Sequence, residues 1–427
     1  MSGTGTFSLP YERGSVDVML PDRYSVRVIG TRMPEPVPDA AEALRRAVDH
    51  PVQSPPLAAM IPPQGRISVL VPDRTRGTSA TDLLRPLLSL MEALGCGPDR
   101  VEIVLANGMH RAMEQWELDD HMGGEIAARW TVLQHDARDT DSLHRVGSTH
   151  AGTPVLFNTR VLDSVLVIVL GSVSFHYFAG FGGGRKLLLP GIAGEETILA
   201  NHRLSLKADP GSGLADGCRS ATLEGNPVHE DMLDAAGLVH TPLFCINVVA
   251  DGSGSAVFIN AGDLGTSHRR ACRFLWDHCH VPIEHPYPVV ISSAGGDPKD
   301  INLVQGHKAL RHASNALVPG GLMLMAVSCP DGIGSASYAQ SFSEGLERVP
   351  DVVRGGYTLN SQTALSTYGL VRRFRIRLMT RLGGDDVARL GFSCWRREET
   401  SAILDAETPS EILVIPNASN LIPIILE

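Results

Sequence analysis

The chain repeats one plan, in which a short apolar strand is followed by a polar or glycine-containing turn and then by a helix-like segment. The strands of this plan are residues 66–71, 101–106 and 165–170, followed by a second series at 289–293, 321–327 and 411–415. Apolar strands that alternate with helices are typical of parallel sheets whose two faces are both covered. The plan therefore predicts an α/β protein with mainly parallel sheets.

Two domains are expected, since 427 residues exceed what one ordinary core requires. The gap between the two series of strands predicts an N-terminal catalytic and cofactor-binding domain over residues 1–285 and a C-terminal domain over residues 286–427, whose last residues can pack back on the first domain. Near the N-terminus, residues 15–20 and 25–29 alternate apolar and polar side chains around Pro21-Asp22-Arg23. That alternation predicts a β-hairpin.

Composition excludes several classes of protein. The net charge of -10 and the pI near 5.9 argue against a nucleic-acid or anionic-membrane partner, because both reward clustered positive charge. Seven cysteines without a Cys-x-x-Cys pair suggest neither a disulfide framework nor a thiolate zinc site. With no signal-peptide pattern and no apolar run of membrane-spanning length, the sequence predicts a cytoplasmic protein.

The run from His176 to Gly191 is the most informative motif. It combines a histidine, a lysine at Lys186 and a cluster of glycines that allow close approach of backbone to a bound group: Gly180, Gly182, Gly183 and Gly184. A phosphate-binding P-loop needs Ser or Thr after its lysine, and Leu187 stands there instead. The Gly-x-Gly-x-x-Gly spacing of a dinucleotide site is also absent.

Charged residues and histidines follow three successive predicted strands. Asp73-Arg74-Thr75-Arg76 follows the first strand, His110 the second and His176 the third, while His202 ends a helix-like segment at 195–201. Ligands of parallel α/β sheets bind outside the carboxyl ends of the strands, so these residues are expected to converge on one cleft. A single histidine at a helix end is more often a cap than a metal ligand, and the three histidines are informative only as a set.

Five motifs in this order resemble the nickel-dependent lactate racemases and their homologues. The motifs are Pro55-Pro56-Leu57, Asp73-Arg74-Thr75-Arg76, Gly108-Met109-His110-Arg111, His176-x-x-Ala179-Gly180-x-x-Gly183-Gly184-x-Lys186 and Gly295-Gly296-x-Pro298-x-Asp300-x-Asn302-x-x-Gln305-x-x-Lys308. The resemblance implies two α/β domains around an interdomain cleft. It also implies a nickel-pincer nucleotide, which is a pyridinium mononucleotide with two sulfur-containing carbonyl substituents that hold nickel.

The resemblance also implies a role for each matching residue. Lys186 would attach the cofactor covalently and His202 would complete nickel coordination, with Asp73, Gly183 and Gly184 in the cofactor site. Arg74 and Arg76 would hold the substrate carboxylate and the cofactor phosphate, since guanidinium groups match both anions. Arg74 is assigned to the substrate and Arg76 to the phosphate, and the reverse assignment stays open. Gln305 and Lys308, three residues apart and hence on one helix face, would contact the substrate.

The implied reaction inverts the C2 centre of a 2-hydroxy acid. The hydrogen on that carbon is a very weak acid, and its removal as hydride avoids the barrier to proton abstraction. Inversion needs an acid–base group on each side of the centre, and His110 and His176 are the candidates.

Several alternatives remain open. Lactate racemases carry an active-site tryptophan in the second domain, whereas residues 360–364 contain none, so a longer sugar (aldonic) acid is a second candidate substrate. A nucleotide-binding phosphotransferase or regulator is the alternative from a different class, and a non-catalytic paralogue is the third. The expected partners are a small anionic 2-hydroxy acid and the enzymes that synthesise the cofactor; the sequence leaves the oligomeric state open.

Overall fold

A computed structural model of the chain describes residues 4–76 and 79–426, without the side chains of Thr4 and Arg76. The strands are β1 Thr4–Tyr11, β2 Gly14–Pro21, β3 Ser25–Val28, β4 Ile67–Pro72, β5 Val101–Ala106, β6 Thr131–Gln134, β7 Leu143–Ser148, β8 Pro154–Asn158, β9 Leu166–Ser172, β10 Phe175–His176, β11 Gly180–Phe181, β12 Leu243–Ala250, β13 Ala256–Gly262, β14 His280–Ile283, β15 Tyr287–Ser293, β16 Leu317–Ala326, β17 Arg375–Met379, β18 Ser393–Cys394, β19 Glu411–Ile415 and β20 Ile422–Ile425.

The α-helices are mostly short and lie between these strands. They are α1 Ala40–Asp49, α2 Leu57–Met60, α3 Leu84–Ala93, α4 Gln115–Met122, α5 Gly124–Arg129, α6 Thr159–Leu162, α7 Glu195–Arg203, α8 Pro227–Gly237, α9 Leu264–Cys279, α10 Leu303–Ser314, α11 Ala336–Gln340, α12 Val349–Gly355, α13 Ser361–Arg373, α14 Gly384–Arg389 and α15 Thr400–Glu407. None of the helices in the described part of the chain is long and apolar enough to cross a membrane.

The chain divides into two compact units. The first unit comprises Met33–Leu204 and Gly217–Asp277, and the second comprises residues 4–32, 205–216 and 278–426. The sequence-based boundary at 285/286 stays a prediction, as does the cleft between domains. Residues 4–32 and 205–216 precede that boundary in the sequence but group with the C-terminal part of the chain.

The sheet of the first unit has the order β13-β12-β9-β4-β5-β6. All neighbours pair in parallel except β12 and β13. Every residue of β4 and β5 is buried, as expected for central strands covered on both faces. Apolar side chains of α1 and α3 pack in one core with Val69 and Val71, which fixes the face of the sheet that these helices cover.

The sheet of the second unit has the order β18-β17-β16-β15-β19-β3 and is parallel throughout. Its strands alternate between two cores, since Val290 packs with apolar residues of α10 and α13 while Ile291 packs with the β1–β2 hairpin and α15. Both faces are therefore buried. The prediction of an α/β protein with mainly parallel sheets is confirmed.

The predicted hairpin between residues 15–20 and 25–29 is wrong. Strand β2 pairs antiparallel with β1, and β3 pairs in parallel with β19, from Ser25 beside Glu411 to Val28 beside Val414. Alternating polarity shows that a strand has one buried face, but it carries no information on which strand lies alongside. The partner of β3 is almost four hundred residues away in the sequence.

Candidate active site

The carboxyl end of β4 holds an aspartate–histidine pair. The residue after β4, Asp73, accepts a hydrogen bond at 2.7 Å from the backbone N–H of Thr75 through Oδ1, and its Oδ2 lies 2.8 Å from His110 Nδ1. The aspartate is buried, whereas the His110 side chain is 41% exposed. A carboxylate acceptor at Nδ1 leaves Nε2 as the ring nitrogen that exchanges protons. Asp73, predicted as a cofactor ligand, is thus placed as the partner of His110.

Arg74 is held by a buried glutamate of α4. Its Nη1 donates a hydrogen bond to Glu117. The Glu117 carboxylate also accepts hydrogen bonds from both terminal nitrogens of Arg111. The pKa of Glu117 is lowered to about 2, chiefly by its hydrogen bonds with Arg111. The backbone N–H of Glu114 and the Arg74 side chain also lower it, whereas burial acts in the opposite direction. Glu117 is therefore ionised at neutral pH and fixes Arg74. The Arg76 side chain lies outside the described residues.

The glycine-rich loop folds tightly against the sheet of the first unit. Gly183 has φ +71°, and a Cβ there would lie 2.9 Å from the backbone oxygen of Ser172 at the end of β9. Gly184 has φ +51°, and a Cβ there would lie 2.7 Å from the His268 ring. Only glycine fits such positions. The structure thus explains both glycines by packing within the chain, and their contact with a cofactor stays a prediction.

Arg185 anchors this loop from beneath. It is fully buried, its Nη2 donates to the Ala179 carbonyl at 2.8 Å, and Nη1 lies 3.1 Å from His268 Nε2. The same His268 nitrogen lies 2.7 Å from the Gly182 carbonyl. Burial, reinforced by the Arg185 charge, lowers the pKa of His268 well below its ordinary value. The neutral ring thus donates to Gly182, while burial lowers the pKa of Arg185 only to about 10, so this residue stays a cation.

Lys186 and His176 contact each other inside the first unit. Lys186 Nζ lies 3.3 Å from His176 Nε2, and both side chains are buried. The backbone N–H of Ala179 donates to His176 Nδ1 at 3.2 Å. A neutral imidazole carries one proton, so Nδ1 as acceptor places the proton on Nε2, which donates to the lysine. This arrangement favours the uncharged amine of Lys186, the nucleophilic form.

Phe178 lies among the three predicted residues of this cluster. Its ring centroid is 4.5 Å from that of His176 and 5.2 Å from that of His202, and Lys186 Nζ is 5.5 Å from it. The Asn226 side-chain amide donates to the Phe178 carbonyl at 2.9 Å. Phe178 was missed by the sequence analysis, although an aromatic residue between a histidine and a glycine cluster was the signal available.

The end of β5 meets the end of the glycine-rich loop. The backbone N–H of Gly108 donates to the Gly191 carbonyl at 3.0 Å, and a Cβ on Gly108 would lie 3.3 Å from the Pro190 carbonyl oxygen. The turn that carries His110 thus packs on the loop that carries Lys186. The turn after β5 and the glycine-rich loop therefore lie side by side, and the convergence of the three strand ends on one cleft stays a prediction.

Comparisons with known proteins assign this arrangement to a family. The family model of the lactate racemase N-terminal domain matches residues 11–214, and that of the lactate racemase C-terminal domain matches residues 284–357. The lactate racemase of Thermoanaerobacterium thermosaccharolyticum is 29% identical over 338 residues, which cover 79% of this chain and 77% of the relative. That of Lactiplantibacillus plantarum is 28% identical over 344 residues, covering 79% and 78%. The chain belongs to the lactate racemase family.

Solved structures agree on the fold. The lactate racemase apoprotein from Thermoanaerobacterium thermosaccharolyticum superposes with a TM-score of 0.86 at 24% identity, over 98% of this chain and 100% of that one. A protein from Thermotoga maritima superposes with a TM-score of 0.65 at 16% identity, over 90% and 97%. Membership of the lactate racemase family makes the chain a racemase, which is an isomerase.

The two substrate candidates of the last motif, Gln305 and Lys308, lie in the second unit, on α10. Asn302 caps this helix by accepting from the backbone N–H of Gln305 at 3.0 Å, and Lys308 Nζ donates to Gln305 Oε1 at 2.7 Å. The prediction that Gln305 and Lys308 share one helix face is confirmed. Their contact with a substrate stays a prediction.

Proposed function

We propose that the chain inverts the C2 centre of a 2-hydroxy acid by reversible hydride transfer to a nickel-pincer nucleotide attached to Lys186. The observation that carries the proposal is the grouping of Lys186, His176 and His202 around one aromatic ring, with the Asp73–His110 pair at the neighbouring strand end. Membership of the lactate racemase family supports the same reaction.

The residues present fit such a cofactor. A lysine that is to bond a carbonyl carbon must be uncharged, and the His176 contact favours that form of Lys186. The nickel of such a cofactor would take one donor from the protein, and the imidazole of His202 would supply a nitrogen suited to it. In the described residues no group of three His, Cys, Asp or Glu side chains could hold a metal by itself.

The bound cofactor would supply an electron-poor pyridinium carbon and a nickel ion. The protein's own part is to hold the 2-hydroxy acid and to move the proton of its hydroxyl group. His110 is prepared for this by Asp73, which keeps a proton on Nδ1 and leaves Nε2 to accept one. His176, whose Nε2 faces Lys186, is proposed as the acid–base group for the other enantiomer.

Charged and polar groups are proposed to orient the substrate. Arg74, with its position fixed by Glu117, is suited to a carboxylate, and Gln305 and Lys308 offer further donors. Arg76 is proposed for the cofactor phosphate. We further propose that the protein works in the cytoplasm beside the enzymes that synthesise the cofactor, where the buried unpaired cysteines would stay reduced.

The test is conversion of single enantiomers. The protein, produced together with cofactor-synthesis enzymes, is incubated with enantiopure lactate, longer 2-hydroxy acids and aldonic acids, and the products are separated by chiral chromatography. The proposal predicts that at least one acid becomes a mixture of both configurations and that removal of nickel stops the reaction. No conversion by nickel-loaded protein, together with tight binding of ATP and magnesium, would instead support the phosphotransferase alternative.

A further inference from the structure

The ring of His202 is held by a buried hydrogen-bond network that the proposed chemistry has not used. A histidine ligates a metal through one ring nitrogen, and the hydrogen bond at its other nitrogen decides which one is available. His202 Nδ1 lies 3.1 Å from Oδ1 of Asn201, its neighbour on α7. Both side chains are buried.

The orientation of the Asn201 amide follows from its other contacts. Its Nδ2 donates to Asp231 Oδ2 at 2.8 Å and to the Val228 carbonyl at 3.2 Å. A carboxylate and a carbonyl can only accept, so the amide nitrogen must face them and the amide oxygen must face His202. An oxygen acceptor at Nδ1 requires a proton on Nδ1, and in the neutral ring that can bind a metal this is the Nδ1–H tautomer.

Asp231 is itself fixed by donors from outside its helix. It lies in α8, and its carboxylate accepts from the Thr149 hydroxyl and, at 2.8 Å, from the Thr153 hydroxyl. The backbone N–H of Thr153 donates to Thr149 Oγ1 at 3.0 Å, which closes the turn between β7 and β8. The network therefore runs from this turn through α8 to the His202 ring.

We propose that Asn201 is a positioning residue that holds His202 as its Nδ1–H tautomer and directs the unprotonated Nε2 at the metal. The inference rests on the proposed role of His202 as nickel ligand. Asn201 needs no contact with nickel or substrate, and Asp231 acts one step further away by fixing the orientation of the amide.

The first test needs no cofactor. The full-length apoprotein is prepared with isotope-labelled histidine, and nitrogen NMR of the ring identifies the tautomer of His202, whose signal is assigned with a His202→Gln variant. The inference predicts the Nδ1–H form in the unsubstituted protein. The Nε2–H form there would overturn it, whatever the behaviour of any variant at Asn201.

The second test compares two substitutions on α7. Asn201→Leu removes the acceptor at His202 Nδ1, whereas Thr197→Val removes a partly buried hydrogen bond, which Thr197 Oγ1 accepts from the Leu156 N–H at 2.9 Å, and leaves Asn201 in place. Both variants should lose some stability. Only Asn201→Leu should raise the Nε2–H population and, in protein loaded with cofactor, speed nickel loss to a chelator by about 10–100-fold.

The outcomes separate this inference from the proposed function. Unchanged tautomer and nickel retention in Asn201→Leu, or equal effects of Thr197→Val, would overturn the role of Asn201. Absence of nickel from the unsubstituted protein after co-production would instead count against the proposed function, and the apoprotein NMR would still decide the tautomer.

Discussion

His110 and His176 are held in different ways, which bears on their proposed shares in the reaction. His110 contacts a carboxylate and is partly exposed, whereas His176 is buried and contacts a backbone N–H and an amine. Asp73 gives His110 an anionic hydrogen-bond partner at Nδ1, whereas His176 Nε2 faces the amine of Lys186. The two acid–base groups should therefore contribute unequally to the two directions of racemisation.

Replacing His110 by alanine should reduce racemisation by roughly 10²–10⁴-fold, the usual contribution of a positioned acid–base group. Nickel content should be unchanged, because His110 is not a proposed ligand. The measurement is the initial rate by chiral chromatography, normalised to nickel. His144→Ala, at an exposed position of β7, is the matched control and should keep full activity. Full activity of His110→Ala would contradict the proposal that His110 and His176 are the two acid–base groups.

Glu117 is the residue whose charge should matter most for stability near the site. Its pKa of about 2, against 4.5 for an ordinary glutamate, means that it stabilises the fold in its ionised form. Glu117→Gln should therefore lower the free energy of unfolding by roughly 3 kcal/mol at pH 7. The difference from the unsubstituted protein should shrink as pH falls from 4.5 towards 2, where Glu117 becomes protonated.

Urea unfolding at a series of pH values measures this effect. The matched control is Glu125→Gln, because the Arg85–Glu125 pair is exposed on both sides and such pairs contribute about 0–1 kcal/mol. A loss for Glu117→Gln that is no larger than for Glu125→Gln would show that the ion pairs of Glu117 with Arg74 and Arg111 are not stabilising.

Part of the candidate site could be predicted from individual residues of the sequence. The histidines and Lys186 were visible in the motifs, but the pairing of Asp73 with His110 joins residues 37 positions apart, and that of Arg74 with Glu117 spans 43. Both depend on which strand ends adjoin in the sheet. Asn201 beside His202 was visible as a poor helix former inside a helix, yet its proposed role depends on Asp231 in another helix.

At the scale of elements, the glycine-rich loop is shaped by contacts that only the fold reveals. The sequence suggested glycines for the approach of a ligand, whereas the structure shows Gly183 against Ser172 and Gly184 against His268. Arg185 beneath the loop holds the Ala179 carbonyl. The loop is thus shaped by contacts within the first unit.

Gly183→Ala should destabilise the protein by about 1–3 kcal/mol, since alanine is strained at φ +71° and its Cβ would meet backbone. The matched control is Gly237→Ala at the end of α8, where a Cβ would meet nothing within 4 Å, and alanine there should be neutral or stabilising by up to about 1 kcal/mol. Thermal unfolding of both apoproteins is the measurement. Equal melting temperatures for the two variants would show that the loop adapts to a side chain.

Across the whole chain, the sequence predicts where the strands lie far better than it predicts which strands pair with each other. The apolar runs at 101–106 and 411–415 match β5 and β19, because a strand buried on both faces leaves a continuous apolar signature. The pairing of β3 with β19 and the grouping of residues 205–216 with the second unit depend on long-range contacts that no local pattern records.

The proposed reaction depends on a nickel-containing group bonded to Lys186, and peptide mass spectrometry combined with metal analysis measures that bond. The protein and its Lys186→Ala variant are each produced with cofactor-synthesis enzymes. In the unsubstituted protein we expect an added mass on the peptide that contains Lys186 and close to one nickel per active chain, and in the Lys186→Ala variant we expect neither. Unmodified Lys186 in protein that still racemises a 2-hydroxy acid would contradict the proposed reaction.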